Sequence, residues 1–363
     1  HNGNLTNARS LRQELEIEGS IFQSTTDTEV IVHLIARSKE QTFLKRIIEA
    51  LTKCRGAYSL VFLTPKALIA ARDPHGFRPL VLGEIDGSYV VASETSAFDI
   101  IEAEYIREVE PGEVLIINED GVKSFKPFPK LKQASCVFEY IYFSRPDSFV
   151  GERNVYQVRK EMGRQLAVEH PANADIVVAV PDSGVPAAMG YAEELGIPLE
   201  MGLLRSHYIG RTFIQPQQAI RNLGVKLKLN AIKEVIKGKS VVVVDDSIVR
   251  GTTSRKIIKM IREAGAKEVH MRISSPPMKF SCYYGIDTPI KSELIANTLE
   301  IDEINHYITS DSLGYLSIKG ILKAIGNYSP IGEKENFCLA CFNGNYPVEI
   351  LDEKIQSQQM DLF

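Results

Sequence analysis

Four consecutive valines running into two aspartates constrain this chain more than any other stretch. Residues 241–254 read Val-Val-Val-Val-Asp-Asp-Ser-Ile-Val-Arg-Gly-Thr-Thr-Ser. The β-branched run makes a buried strand. Two adjacent carboxylates follow at its carboxyl end, where open α/β sheets bind ligands. The next residues open a helix in which Ile257, Ile258, Ile261 and Ala264 mark one face. Gly251 lets backbone approach an anion, and free N–H groups of a first helical turn hold a phosphate. The hydroxyls of Thr252, Thr253 and Ser254 add donors. Asp245 and Asp246 repel phosphate but suit ribose hydroxyls or a divalent cation. One loop therefore suits a sugar and its phosphate together. The plain alternative makes the two acids solvated turn residues and Thr253 or Ser254 an N-cap.

The surrounding pattern supports a parallel sheet. Val155–His170 has helical spacing, Ile176–Val180 is a near-continuous apolar strand, and Val185–Leu195 is helical again. The strands Lys239–Val244 and Val269–Ile273 follow. Strand–loop–helix units in series mean parallel strands with crossover helices. A second loop, Pro181-Asp-Ser-Gly-Val-Pro186, leaves another strand end; read plainly, it is a βα turn capped by Asp182 or Ser183. A third segment, Arg205–Pro216, mixes Gly, Arg and aromatic residues.

The stretch 241–254 resembles the phosphoribosyl-diphosphate loop of type I phosphoribosyltransferases. The resemblance implies that Asp245 and Asp246 contact the ribose hydroxyls, with one Mg²⁺ nearby. It implies that backbone from Arg250 through Gly251, Thr252 and Thr253 to Ser254 holds the 5-phosphate. It places the diphosphate at Asp182 and Ser183, with Ser183 helping to ligate the Mg²⁺, and makes the third segment a lid over the substrate.

The first third reads differently. Thr28–Leu34 and Phe43–Leu51 have helical spacing, whereas Ala57–Leu63, Ala67–Ala71, Tyr89–Ser93 and Glu113–Ile117 read as strands. Strands without regular intervening helices suggest an antiparallel α+β arrangement. Residues 1–4, His-Asn-Gly-Asn, read as loop chemistry. The stretch Lys123–Leu131 contains two prolines and serves as the boundary. The expected division is residues 1–125, 126–350 and a polar tail over 351–363.

Longer stretches narrow the family. Arg72–Leu80 (RDPHGFRPL), Ser93–Asp99 (SETSAFD), Cys136–Ser148 (CVFEYIYFSRPDS), Tyr208–Ala219 (YIGRTFIQPQQA) and Ser274–Pro277 (SSPP) lie in order along the chain. Together they resemble the glutamine phosphoribosyl-diphosphate amidotransferases, over residue 1 to about residue 350. The resemblance implies an N-terminal nucleophile (Ntn) glutaminase domain, incomplete here, followed by a type I phosphoribosyltransferase domain with a Rossmann-like sheet. It implies a pentosyltransferase activity opening purine biosynthesis. Glutamine is hydrolysed, ammonia passes internally, and attack on C1 of phosphoribosyl diphosphate yields 5-phosphoribosylamine, glutamate and diphosphate. Asn2 and Gly3 would form the oxyanion site, Asp27 would bind the substrate amino group, and Arg211 would stabilise the departing diphosphate. On residues alone Asn2-Gly3 is a turn and Asp27 an N-cap. The family's nucleophile is an N-terminal cysteine with its own amino group as base. The chain starts at His1 with no signal-peptide pattern, so a fragment or processed chain lacking glutaminase activity is expected.

Five cysteines, of which only Cys338 and Cys341 are close in sequence, argue against a secreted disulfide framework. C-x-x-C alone leaves zinc, redox chemistry and chance open. The resemblance implies a [4Fe–4S] cluster on Cys136, Cys282, Cys338 and Cys341, tying the interdomain region to the C-terminal segment, with zinc as the other metal. Cys54 reads as a small buried thiol.

Net charge −4 gives no basic footprint for nucleic acid, and no apolar run is long enough for a membrane span. A cytoplasmic protein is expected. The resemblance also implies a homo-oligomer, dimer or tetramer, with purine nucleotides as feedback inhibitors. The rival readings are a plain base phosphoribosyltransferase and a non-catalytic purine-sensing regulator of the same fold.

Overall fold

The computed structural model describes residues 1–205, 229–326 and 336–352. The chain opens on strand β1 (Asn2–Leu5) and helices α1 (Ala8–Ile17), α2 (Asp27–Arg37) and α3 (Phe43–Lys53). Strands β2 (Gly56–Leu63), β3 (Leu68–Arg72), β4 (Val81–Ile85) and β5 (Ser88–Ala92) follow. After α4 (Ser96–Ile101) come β6 (Glu104–Glu108), β7 (Val114–Asn118) and β8 (Gly121–Phe125). The strands form two antiparallel sheets, ordered β1-β2-β3-β7-β8 and β5-β4-β6. Side chains alternate across β3 as a pleat requires. Ile69 and Ala71 join Leu11, Ile31, Ile47 and Leu51 of the helices, whereas Ala70 joins Leu80, Leu82 and Leu115 on the other face.

Residues 2–5 are a strand, which corrects the loop expected at 1–4. β1 is an edge strand paired antiparallel to β2, with Asn2 opposite Ser59 and Leu5 opposite Gly56. Pairing overrides the weak strand preference of Asn and Gly. Gly3 sits at φ +147, and a Cβ there would stand 2.1 Å from the Ala57 carbonyl oxygen. Only glycine fits that close approach. The expected boundary stretch is also partly structured, since β8 runs to Phe125 before the chain leaves the sheet.

β9 (Ser135–Cys136) and a π-helical turn, Glu139–Phe143, lead to the small hairpin β10 (Phe149–Val150) and β11 (Arg153–Asn154). α5 (Val155–Glu169) follows, capped by the Asn154 side chain, which accepts from Gln157 N–H. Then come β12 (Ile176–Ala179), α6 (Val185–Leu195), the pair β13 (Leu203–Arg205) and β14 (Leu229–Ala231), and α7 (Lys233–Ile236). β15 (Ser240–Asp245), α8 (Thr252–Glu263) and β16 (Glu268–Ile273) carry the chain across the second sheet. α9 (Ile295–Thr298), α10 (Ile301–Ile308), β17 (Ser312–Tyr315) and α11 (Ile318–Ile325) complete it. β18 (Phe337–Cys338) and α12 (Ala340–Asn343) close the described chain.

The second sheet is parallel throughout, ordered β12-β15-β16-β17. The valine run fills both of its faces. Val242 and Val244 pack with Val158, Met162 and Ala188 of α5 and α6, and Val241 and Val243 with Ile257 and Ile261 of α8. All four are fully buried. Burying a valine side chain contributes roughly 1.5–2 kcal/mol. α5 and α6 touch backbone to backbone. A Cβ on Gly163 would lie 1.9 Å from the Ala187 carbonyl oxygen, and one on Gly190 would lie 1.8 Å from that of Lys160.

The polar tail expected from 351 begins as a docked segment. The Asp352 carboxylate accepts from the backbone N–H of Arg9 at 2.9 Å and of Ser10 at 3.2 Å, and Thr6 Oγ donates to the Glu349 carbonyl at 3.1 Å. Residues 353–363 lie outside the described residues.

Candidate active site

β12 and β15 are hydrogen-bonded neighbours, so the loops that leave their carboxyl ends lie side by side. Asp245 is the last residue of β15, and both it and Asp246 are buried. Burial raises both carboxyls above their ordinary range. The neighbouring acid raises Asp245 further, while bonds from Ser183 and Ser247 and the Arg159 charge oppose the rise at Asp246. Ser183 Oγ donates to Asp246 Oδ2 at 2.5 Å, and Ser247 Oγ donates to Oδ1 at 2.5 Å. The second loop can approach this closely because of Gly184, where a Cβ would stand 2.6 Å from the Val244 carbonyl oxygen. Pro181 and Asp182 are joined by a cis peptide bond. Asp182 is exposed and forms an ion pair with Arg205.

Neither expected side-chain cap is formed. The N-cap of α6 is Gly184 and that of α8 is Gly251, and neither has a side-chain cap bond. Gly251 sits at φ +73, the left-handed region that favours glycine. The first turn of α8 is therefore open, with Thr252 and Thr253 exposed and Ser254 buried. Its N–H groups and positive dipole end suit a phosphate. Arg250 lies beside them, its Nε donating to Glu293 at 2.7 Å. The structure thus brings together Ser183, Asp245, Asp246 and the start of α8. Arg211 and the stretch Tyr208–Ala219 lie outside the described residues.

Asn2 and Gly3 lie on β1 rather than in a turn, and Asp27 contacts the residues on either side of them. Asp27 Oδ2 accepts from Leu5 N–H at 2.9 Å, and His1 Nδ1 stands 3.6 Å from Oδ1. Burial pushes the Asp27 carboxyl up, but His1 and the Leu5 N–H outweigh it and hold it below its ordinary value. Asp27 is the first residue of α2 and Thr26 is its N-cap, so the capping role expected from residues alone is not taken. Gly285, near the cysteines, presses on β1; a Cβ there would lie 2.8 Å from Gly3 Cα.

Sequence reasoning missed three charged residues here. Arg78 Nε donates to Asn2 Oδ1 at 3.2 Å, and its Nη2 lies 3.0 Å from Glu139 Oε1. Arg159 Nε and Nη2 donate to the carbonyls of Tyr140 and Ser144, each at 2.7 Å. Burial raises the Glu139 carboxyl, and Arg78 opposes the rise. Arg78 lay inside a quoted motif, but nothing local showed what it faces.

Cys136, Cys282, Cys338 and Cys341 line one cavity, with Phe77 and Tyr284 stacked beside them at 4.2 Å between ring centroids. β9 and β18 pair in parallel, placing Cys136 opposite Cys338. Cys282 Sγ accepts from Tyr284 N–H at 3.3 Å. Burial pushes the Cys136 thiol up to about 12 and raises Cys338 and Cys341 as well. Among the described residues, no group of three or more His, Cys, Asp or Glu is arranged to hold a metal ion. Cys54 is buried at the end of α3, its thiol donating to the Ala50 carbonyl at 3.4 Å, as expected of a packing residue. Among the described residues no helix is long and apolar enough to cross a membrane.

Comparison with known proteins fits this geometry. The glutamine amidotransferase domain family matches residues 1–99, and the phosphoribosyl transferase domain family matches residues 152–275. The chain is 56% identical over 357 residues to amidophosphoribosyltransferase 1, chloroplastic, of Arabidopsis thaliana, covering 98% of this chain and 62% of the relative. It is 52% identical over 358 residues to the amidophosphoribosyltransferase of Bacillus subtilis, covering 98% and 74%. A solved glutamine phosphoribosylpyrophosphate amidotransferase of B. subtilis, complexed with ADP and GMP, superposes with a TM-score of 0.91 at 52% identity, over 97% of this chain and 77% of that one. The chain spans 62–74% of the curated relatives named here. With both domain families in this order and this identity along nearly its whole length, the chain belongs to the amidophosphoribosyltransferase family.

Proposed function

We propose that this protein forms 5-phosphoribosylamine, with release of diphosphate, from phosphoribosyl diphosphate and ammonia supplied from glutamine. The observation that carries the reading is the junction of Ser183 with Asp246, which joins two strand-end loops beside the open first turn of α8. In this reading the N–H groups and hydroxyls of Gly251–Ser254 hold the 5-phosphate. Asp245 and Asp246 accept from the ribose hydroxyls, and the backbone at Asp182–Gly184 faces the diphosphate. Residues 126–350 form the transferase domain, and Arg211 adds positive charge to the departing diphosphate. Residues 1–125 bind glutamine, with Asp27 on its amino group and Asn2-Gly3 as oxyanion donors.

A divalent cation fits the first site. Two buried carboxylates and a hydroxyl are hard oxygen donors; burial makes both acids costly to ionise, and the Asp246 charge adds to that cost at Asp245, so a positive charge beside them is favoured. Ser183, Asp245 and Asp246 would hold Mg²⁺, which neutralises charge on the diphosphate. The four thiols are the donor type an iron–sulfur cluster takes, and they would hold one only after drawing together, since they are not arranged as a ligand set. They share one apolar cavity with an N–H···S bond already in place at Cys282. Its role is structural, tying β9 and β18 to the Cys282 segment. The purine-nucleotide regulation proposed here draws support from the ADP and GMP complex of the relative. The homo-oligomer rests on family resemblance. The cysteines, none of them disulfide-bonded, suit a reducing compartment such as the cytoplasm.

The test is a product assay with ammonia, phosphoribosyl diphosphate and Mg²⁺. Ammonia-dependent diphosphate release supports the reading. Diphosphate release that is absent, or equally fast without ammonia, removes it.

A further inference from the structure

We propose that Arg78 is a positioning residue for the glutamine half-reaction: it sets the direction of the Asn2 side-chain amide, and Glu139 holds Arg78 in place. The inference rests on the reading of Asn2-Gly3 as the oxyanion site. Its warrant is hydrogen-bond chemistry. Arginine has only donors, so the Asn2 atom that faces Arg78 Nε at 3.2 Å must be the carbonyl oxygen. The amide Nδ2 is thereby turned the other way, with both its protons free to face a developing oxyanion. Without Arg78 the amide loses the partner that selects this orientation, and the flipped one presents its carbonyl oxygen to negative charge.

Arg78 is itself fixed from every side. Its carbonyl accepts from Ser59 Oγ at 3.0 Å and from Arg72 Nε at 2.9 Å, which anchors its backbone to the first sheet. Its side chain is fully buried, with the guanidinium 4.2 Å over the Phe143 ring and 3.0 Å from Glu139 Oε1. Neither Nη of Arg78 has an aligned hydrogen bond, so the contact with Glu139 is one of charge. Nine-tenths of a typical protein's buried polar groups are satisfied, and an arginine kept here in spite of that cost points to use rather than packing. Glu139 is held by Ser144 Oγ at 2.5 Å, and Arg159 of α5 clamps both ends of the π-helical turn that carries it. Burial lowers the Arg159 guanidinium below its ordinary value, and the Asp246 charge opposes that fall. The π-helical turn also packs in one core with Val242 and Val244 of β15, the strand that leads into the transfer loop.

The experiment compares Arg78→Met, Arg78→Lys, Glu139→Gln and Asn2→Ala in this chain joined to a cysteine-bearing N-terminal segment of the family, without which glutamine hydrolysis is not expected of it. Glutamine hydrolysis and ammonia-dependent transfer are measured side by side. Arg78→Met should lower kcat for glutamine hydrolysis by about 10- to 100-fold, short of the loss of a whole oxyanion donor. KM for glutamine and ammonia-dependent transfer should stay within about twofold, as for an interaction made only in the transition state. Arg78→Lys should recover part of the loss, and Glu139→Gln, nearly isosteric, should show the same defect in weaker form. Adding Arg78→Met to Asn2→Ala should cost nothing further, because both act through one amide. Unchanged hydrolysis in Arg78→Met alongside a large loss in Asn2→Ala would overturn the proposal alone. Equal loss of both activities in all Arg78 and Glu139 variants would also overturn it, as a purely structural role. Intact hydrolysis in Asn2→Ala would instead overturn the oxyanion reading beneath it.

Discussion

Ser183 donates to Asp246 across 63 residues of chain, and this one bond joins the two loops at the carboxyl ends of β12 and β15. Neither residue is spent on capping its own helix. The hydroxyl instead meets a carboxylate that burial has pushed toward its neutral form. A cation arriving between Ser183, Asp245 and Asp246 would replace a proton in that role, so the site is poised for positive charge.

The close crossing of α5 and α6 places the second loop against β15. Gly163→Ala or Gly190→Ala would drive a methyl into a backbone carbonyl of the facing helix. Each should destabilise the protein by about 3 kcal/mol or more, since overpacking a rigid backbone contact leaves little room to relax. Denaturant unfolding measures this. Losses under about 1 kcal/mol would mean the helices separate easily, against the packing described.

Asp352 caps α1 from the far end of the chain. The N-cap residue Asn7 makes no side-chain cap bond, while Asp352 takes the N–H groups of Arg9 and Ser10. Asp352→Ala should cost about 1 kcal/mol, the usual value of a lost cap. The Arg9 and Ser10 amides should exchange faster in the variant. Unchanged exchange at both would show that the capping contact is not formed in solution.

The four cavity cysteines should behave as one set. Anaerobically purified protein should carry iron and visible absorbance, and serine at Cys136, Cys282, Cys338 or Cys341 should remove both. Cys54→Ala should keep the iron, because Cys54 packs elsewhere, in the helix-covered core of the first sheet. Iron lost with Cys54 and kept with the others would refute the assignment.

Asp73 predicts a pH dependence. It is fully buried, and burial lifts its carboxyl to about 6, against the opposing pull of Arg72 and the N–H groups of Tyr58, Phe77 and His75. The folded state then holds a proton between pH 4 and 6 that the unfolded state has lost. Stability contributed here therefore falls as pH rises through that window, by roughly 2–3 kcal/mol. Stability profiles of the wild type and Asp73→Asn should differ by this slope. A difference of opposite sign would place the Asp73 carboxyl below its ordinary value.

The transfer loop was legible because its parts are contiguous. Strand, acids, glycine and helix start follow one another within 241–254, and each leaves a local mark. Helices α3 and α6 were legible for the same reason, since their apolar spacing is local. β1 was not, because its partner β2 lies beyond three helices and Gly3 is chosen by contact with Ala57. Arg78, Glu139 and Arg159 were equally hidden. A buried charge is defined by what it faces, and these face one another from separate elements. The π-helical turn and the Asp352 cap share this dependence on distant contacts.

Asp245 and Asp246 carry the proposed transfer chemistry most directly. Ammonia-dependent formation of phosphoribosylamine should be measured for Asp245→Asn and Asp246→Asn at saturating Mg²⁺. A fall of about 100-fold or more is expected in each, the scale seen when charge placed at the reacting sugar is lost. Transfer that continues at the wild-type rate in both variants would contradict it, and the sugar and metal would have to be bound elsewhere.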